Sequence, residues 1–265
     1  MKKKNKPLLV SVIIVNYNNK NYIHRCINSI KKQNYKSIEI IFVDDQSTDG
    51  SLSLVKPSKL IKIIKTSKKK TKFGSFNQIN SYLEGFVKSK GELIFFLDSD
   101  DYFEKDKVRN VIQKFKNNSQ IQVIFDLPIF LSKKKKEKKF FNQRGTIFSN
   151  WPRYTSQSCI SLRRNYTKEL FKHLCFKKFP NIWFDFRIAA YSFLKFNKIE
   201  IYSKHLTFYR INENSASSKF KTFNKQWWIR RKEAHKFFDY LCEKNNKRKR
   251  YTLDKLVTNL INTLI

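Results

Sequence analysis

The sequence predicts an α/β fold, a mainly parallel sheet with helices on both faces, and two patterns carry that prediction. Over residues 8–130, short β-branched or aromatic runs alternate with segments whose apolar residues recur at helical spacing, the order that βαβ units require. The strand-like runs are apolar at consecutive positions, as in Leu8–Val15 and Leu93–Leu97, which suits strands covered on both sides.

The elements follow in order. Val10–Tyr17 reads as a strand, and Tyr22–Gln33 as a helix with Ile23, Cys26, Ile27 and Ile30 on one face. Glu39–Val43 is a second strand, running into Asp44-Asp45-Gln46-Ser47-Thr48-Asp49-Gly50, a stretch of turn and cap residues. Leu60–Lys65 is a third strand, and Ser75–Lys88 a helix with Phe76, Ile79, Leu83 and Phe86 inward. Leu93–Leu97 is a buried strand ending in Asp98-Ser99-Asp100-Asp101. Val108, Val111, Ile112 and Phe115 mark a further helix, and Ile121–Phe125 a further strand. Lys133–Lys139 reads as a solvated loop. Beyond Trp151 the pattern weakens to a strand at Ser158–Leu162 and helices near Asn165–Leu174, Asp185–Phe196 and Gln226–Leu241, the last with Trp227, Ala234, Phe238 and Leu241 on one face. A closing amphipathic helix carries Leu253, Leu256, Val257, Leu260, Ile261 and Leu264 as an apolar stripe.

Composition narrows the function classes. The 265 residues carry 56 Lys and Arg against 21 Asp and Glu, a net charge of +35, with 40% hydrophobic and 15% aromatic residues. That apolar content excludes a disordered basic tail, because it buries enough surface to offset chain entropy. One compact body is expected. No apolar run approaches the ~20 residues of a spanning helix. The basic amino terminus leads into Asn16, Asn18 and Asn19 without a small-residue cleavage site, which reads as mature sequence. Cys26, Cys159, Cys175 and Cys242 are widely spaced and read as free thiols of a reducing cytoplasm. The charge itself fits anionic partners, and a basic nucleic-acid or anion-binding module is the alternative it supports. No nucleic-acid motif accompanies it, so no nucleic acid is expected.

The acids that remain in so basic a chain are concentrated. Asp44, Asp45 and Asp49 follow one strand and Asp98, Asp100 and Asp101 another, and in parallel sheets ligands bind beyond the carboxyl ends of the strands. Asp98 and Asp100, two residues apart at a turn, suit a hard divalent cation that takes its remaining ligands from water or phosphate.

VSVIIVNYNN (Val10–Asn19), VDDQSTDGS (Val43–Ser51), KGELIFFLDSDD (Lys90–Asp101), WFDFR (Trp183–Arg187) and YRINENSAS (Tyr209–Ser217) occur in an order and at spacings that resemble the family 2 glycosyltransferases. The resemblance covers roughly residues 8–218 and implies the GT-A type of fold, Rossmann-like, followed by a smaller acceptor-side region and C-terminal helices. In these terms residues 1–218 form the GT-A domain, with a nucleotide-binding half at about 8–130 and an acceptor half at about 131–218, and 219–265 form a helical extension. Position by position, it implies that Val15, Asn16 and Tyr17 line the base and ribose pocket, that Asp45 accepts from the base, and that Asp98 faces the ribose or metal. Asp100 ligates Mn²⁺ or Mg²⁺ across the diphosphate, and Asp185 is the base that deprotonates the acceptor.

The activity implied is metal-dependent, inverting transfer from a nucleotide-sugar donor, a UDP-sugar first among them, to a glycan or lipid-linked acceptor in cell-surface polysaccharide or lipopolysaccharide synthesis. The implied location is cytoplasmic and peripheral on the inner face of the membrane. An anionic membrane surface is a further partner, since the terminal stripe follows Lys244, Lys247, Arg248, Lys249 and Arg250. Packing of the stripe on the domain or on a second subunit is the other reading. The chain departs from the family at Val15-Asn16, where Pro-Thr is frequent, at Phe184 in place of Glu, at Asn212 in place of His and at Leu83 in place of Asn. A catalytically inactive relative is the alternative those departures raise. Trp227-Trp228-Ile229-Arg230-Arg231 offers aromatic faces and Arg forks for a sugar or diphosphate, and core packing explains the same residues.

Overall fold

The structure, a computed structural model, describes residues 7–67, 70–132, 135–138, 149–174, 177–212 and 220–265. Cys175 and the end of the YRINENSAS segment lie outside the described residues. Strand β1 (Val10–Asn16), helix α1 (Ile23–Lys31), β2 (Ile38–Asp44), β3 (Ile61–Lys65), α2 (Gly74–Lys88) and β4 (Leu93–Asp98) follow in the expected order. After them come β5 (Tyr102–Phe103), α3 (Lys107–Asn117), β6 (Val123–Leu131), β7 (Lys136–Lys138), β8 (Ile160–Arg163), α4 (Arg164–His173) and α5 (Phe184–Phe196). The long β9 (Ile201–Arg210), α6 (Lys225–Lys244) and α7 (Leu253–Leu264) complete the chain.

One sheet runs in the order β3-β2-β1-β4-β8-β6-β9-β5, with β7 beside β6. The β3-β2-β1-β4 part is wholly parallel. Beyond it the sheet is mixed, because β8 runs antiparallel to both β4 and β6 while β6 and β9 are parallel. The period-two geometry of a strand divides each central run between two cores. Ile13, Val15, Ile41, Val43, Ile94 and Phe96 meet α2, α4, α5 and α6 on one face. Val12, Ile14, Ile40, Phe42, Phe95 and Leu97 meet α1 and α3 on the other.

Three expectations are corrected. In α2 the buried positions centre on Ile79, Tyr82 and Phe86, while Phe76 is half-buried and Leu83, also half-buried, packs against the same core; Tyr82 turns inward, where its ring meets Phe96 and Phe184 and its hydroxyl reaches Asp98 at the carboxyl end of β4. The Lys133–Lys139 segment contains a strand among its described residues, β7, held by pairing of Lys136, Glu137 and Lys138 with β6. The strand expected to end at Phe125 continues to Leu131 past Pro128, where the register on β9 shifts, as a residue without an N–H requires. Strands β5 and β9 carry no run the sequence marked: β9 interrupts its apolar residues with Ser203-Lys204-His205 and is only partly buried.

Helix α2 lies unusually close to the sheet at Gly85, where a Cβ would stand 2.4 Å from Ile13 Cγ2 and 3.0 Å from Val43 Cγ2. Both neighbours are fully buried, so Gly85→Ala is expected to cost about 1–3 kcal/mol by overpacking. Urea unfolding of the variant against the native chain checks this; an unchanged midpoint would show that the helix backs away freely.

Candidate active site

The sheet order reverses at β1, with β2 and β3 laid to one side and β4 to the other, which opens a crevice at the carboxyl ends of β1 and β4. Both acidic segments lie there. Asp98 is in register with Val15, and Asp44 with Asn16.

The first two motifs are woven into each other. Asn16 is fully buried and its amide donates at 2.9 Å to Asp44 Oδ1 and to the hydroxyls of Ser47 and Ser51. Asn18, at φ 52°, accepts from the Thr48 N–H at 2.8 Å. The Asp49 carboxylate accepts from the Lys20 N–H at 2.8 Å, and Gly50 supplies the left-handed turn at φ 78°. These residues shape the crevice rather than face it. Val15 likewise points its side chain into the core. Tyr17 is different: its ring is 52% exposed, with Lys70 Nζ 3.5 Å from the ring centre. Asp45 opens onto a shallow pocket lined also by Thr66, Lys70, Asn77 and Glu84. It accepts from the Thr66 hydroxyl at 3.2 Å, and burial pushes its carboxyl up although Lys70 pulls the other way.

Ligand oxygens of Asp98, Asp100 and Asp101 all lie within 4.8 Å of one another. Asp98 is held by three donors: Gln78 Nε2 at 2.9 Å and Tyr82 Oη at 2.8 Å on one oxygen, and Gln157 Nε2 on the other. Even so, burial first and then repulsion from Asp100 push its carboxyl up to about 7. Asp101 accepts from the Arg210 N–H at 2.7 Å, while burial and its two acidic neighbours push it well up. Asp100 is raised by burial, against the opposing pull of Arg210 and a hydrogen bond from Asn212. Arg210 donates from Nε to the Asp100 carbonyl at 3.1 Å and stacks on Tyr22. Three crowded carboxylates, each raised by desolvation, are a site short of positive charge. A donor set made wholly of hard oxygens fits Mg²⁺ or Mn²⁺.

Across the crevice stands Asp185, in the first turn of α5. Burial pushes its carboxyl up to about 7, with repulsion from Asp98 adding to the rise and Arg230 opposing it. It accepts from the Phe186 N–H at 2.8 Å, the bond of a residue near a helix start. Its setting is fixed by Arg187, fully buried, which donates to the carbonyls of Leu174, Phe179 and Ile182 and so pins the segment leading into α5. Arg230 of α6 reaches the same place, buried between Trp183 and Phe220 at 4.0 Å from each ring centre, and donates to Ser75 Oγ at 3.2 Å.

The structure therefore brings Asp98, Asp100 and Asp185 to one crevice, with Asp45 and Tyr17 farther along the β1 and β2 ends. Sequence reasoning missed Gln78, Tyr82 and Gln157 as the holders of Asp98, and gave Asp101 no ligand role. Gln78 and Tyr82 stand four apart, one face of α2, which was a usable signal once the helix register was right. Gln157 sits in a short turn before β8 and had none.

Comparisons with known proteins place the family and the fold. The model of the family described as "Glycosyl transferase family 2" matches residues 11–189. The chain is 40% identical over 104 residues to the Escherichia coli UDP-Glc:alpha-D-GlcNAc-diphosphoundecaprenol beta-1,3-glucosyltransferase WfaP, 39% of this chain and 40% of that one. It spans well under half the length of the curated relatives it matches. TarS of S. aureus in complex with UDP-GlcNAc superposes with a TM-score of 0.59 at 17% identity, over 87% of this chain and 66% of that one. The mannosyltransferase PcManGT from Pyrobaculum calidifontis, in complex with GDP-Man and Mn²⁺, gives 0.56 at 14% identity over 96% and 69%. Those likenesses show the shared GT-A fold. With the family model covering most of the chain, from the first strand through the start of α5, the protein belongs to glycosyltransferase family 2.

Proposed function

We propose that the chain transfers a sugar, with inversion, from a nucleotide-diphosphate donor to a hydroxyl of a glycan or glycolipid acceptor in cell-surface polysaccharide or lipopolysaccharide synthesis. The observation that carries the reading is the pairing, across one crevice, of the Asp98–Asp100–Asp101 cluster with Asp185, whose carboxyl is raised to about 7. A base with a pKa near the operating pH is poised both to be ionised and to accept a proton. In this reading Asp185 takes the acceptor's O–H proton as that oxygen bonds the anomeric carbon, and the bond from that carbon to the diphosphate oxygen breaks on the opposite side. The departing diphosphate keeps the electron pair.

Asp45 and Tyr17 take the base end, with the main chain of Val15 and Asn16 beside them, and Asp98, fixed by its three donors, faces the ribose. Asp100 and Asp101 would hold Mn²⁺ or Mg²⁺, which when bound offsets charge gathering on the diphosphate. Arg210 and Arg230 supply the fixed positive charge of the chain itself. The names of the relatives support a UDP-sugar donor and a lipid-linked acceptor, since WfaP uses UDP-Glc and a diphosphoundecaprenol-linked sugar. A location at the inner face of the membrane belongs to the same proposal. The alternative of a basic anion-binding module rests on net charge alone.

The test is release of nucleoside diphosphate from UDP-Glc, UDP-GlcNAc and GDP-Man, each with Mn²⁺ or Mg²⁺ and with a polyprenyl-diphosphate-linked sugar as acceptor. Acceptor-dependent, metal-dependent turnover of one donor class is expected. Nucleotide binding without turnover of any donor would favour the inactive relative.

A further inference from the structure

The terminal helix packs on the body of the protein by the wrong face for an ordinary amphipathic helix. Polar residues make up its inner face: Lys255 is buried and paired with Asp239 at 2.7 Å, and Asp254 pairs with Arg231 at 2.6 Å. Thr258 is fully buried, and Asn262 donates to the Trp228 carbonyl at 3.0 Å. Positions 254, 258 and 262 share one helical face, and α7 runs antiparallel to α6 along it. The apolar stripe points outward, with Leu256 57%, Leu260 62% and Leu264 77% exposed. At its far end Lys225 Nζ reaches the Ile265 carbonyl, which sets the stripe beside the aromatic start of α6, where Phe223 is 71% exposed and packs edge-on to Trp227. Of the twelve large apolar residues exposed among the described residues, nine lie between Phe223 and Ile265. This is a patch and not scatter.

The occupant is indicated by charge. Residues 220–265 contain twelve Lys and Arg and four Asp and Glu, and each of the four acids is already engaged, with Asn181, Lys255, Lys249 or Arg231. The exposed Lys244 ends α6, and the exposed Lys247, Arg248 and Arg250 stand in the turn that feeds α7. A protein partner that covered only the leucines would leave these cations unmet. An anionic bilayer meets both, taking apolar side chains below the headgroups, aromatic rings at their level and cations among the lipid phosphates.

We propose that α7 and the start of α6 form a docking surface that lies flat on an anionic lipid bilayer. This deepens the functional reading above and rests on it for its purpose: Arg230, one turn beyond Trp227, lines the catalytic crevice, so docking at the start of α6 holds that crevice at the membrane surface, where a lipid-linked acceptor presents its sugar.

The test is flotation of the whole chain with vesicles of phosphatidylcholine alone and of phosphatidylcholine with about a third phosphatidylglycerol, for the native protein and for the double variant Leu256→Glu/Leu260→Glu. Native protein is expected to float with the anionic vesicles only, and the variant's partitioning to fall at least about tenfold, with its melting temperature and nucleotide binding unchanged because both side chains are exposed. Equal flotation of variant and native chain would overturn the proposal. So would a native dimer in light scattering that the substitutions dissociate without altering flotation. Vesicle binding through α7 with no turnover of nucleotide sugars would uphold docking and sink the functional reading; turnover of a soluble acceptor with no vesicle binding would do the reverse.

Discussion

Asp185→Asn is expected to lower kcat about a thousandfold, the loss typical of a removed general base, while nucleotide affinity stays within about threefold. The substitution keeps the shape of the side chain and its acceptance from the Phe186 N–H, so the start of α5 is preserved. What it removes is the carboxylate assigned to take the acceptor's proton. The same residue sets the pH dependence. Its carboxyl, raised by burial to about 7, faces Arg230, which lowers it, and Asp98, which raises it, with the Tyr154 and Tyr209 phenols nearby. The base acts only when ionised, so kcat/KM is expected to rise with pH through about 7 and level above it. Below that range the carboxyl is protonated and cannot serve. Asp185→Asn should retain a small rate without this limb. A variant within tenfold of the native rate would reduce Asp185 to a helix-start residue.

Lys107→Met is expected to destabilise the fold by about 3–5 kcal/mol, as when one partner of a buried ion pair is removed. Lys107 and Asp126 are both fully buried and meet at 2.8 Å. Lys107 Nζ also donates to the Ser158 carbonyl at 2.7 Å and the Thr207 hydroxyl at 2.6 Å, and Thr207 in turn donates to Asp126 at 2.6 Å. Burial already pushes the Asp126 carboxyl up with Lys107 in place; without it the charge keeps the Thr207 hydroxyl and a backbone N–H but loses its cation. The loss also reaches the site, because Ser158 Oγ accepts from the Asp98 N–H at 3.0 Å and β9 carries Arg210 to Asp100 and Asp101. The double variant Lys107→Met/Asp126→Leu, which removes both charges, is expected to recover most of the stability in urea unfolding. A single variant as stable as the native chain would show that Asp126 finds another cation.

The central sheet was legible because its strands are apolar on both faces and its helices on one, two periods that local sequence displays directly. Helices α1 and α3 buried the residues expected, Cys26 and Phe115 among them. The second half was harder for a stated reason: β9 is held by pairing with β6 and by Thr207 and Leu206 at its middle, not by a continuous apolar run. The terminal stripe was visible in sequence, but its direction was not, since partners on α6, among them Asp239, Arg231, His235 and the Trp228 carbonyl, decide which face turns inward. At the site, the aspartates were visible as acids retained in a basic chain. Their holders were harder to read, because Gln78 and Tyr82 on α2 and Gln157 in the turn before β8 come from two places that only the fold brings together.

The most direct measurement is calorimetric titration of UDP and GDP into the native chain and into Asp100→Ala, each with and without Mn²⁺. Binding of one nucleoside diphosphate that requires Mn²⁺ and is lost in Asp100→Ala is the expected result. Equal affinity in the two proteins, or affinity indifferent to Mn²⁺, would contradict the assignment of the Asp98–Asp100–Asp101 cluster as the place where metal and diphosphate meet.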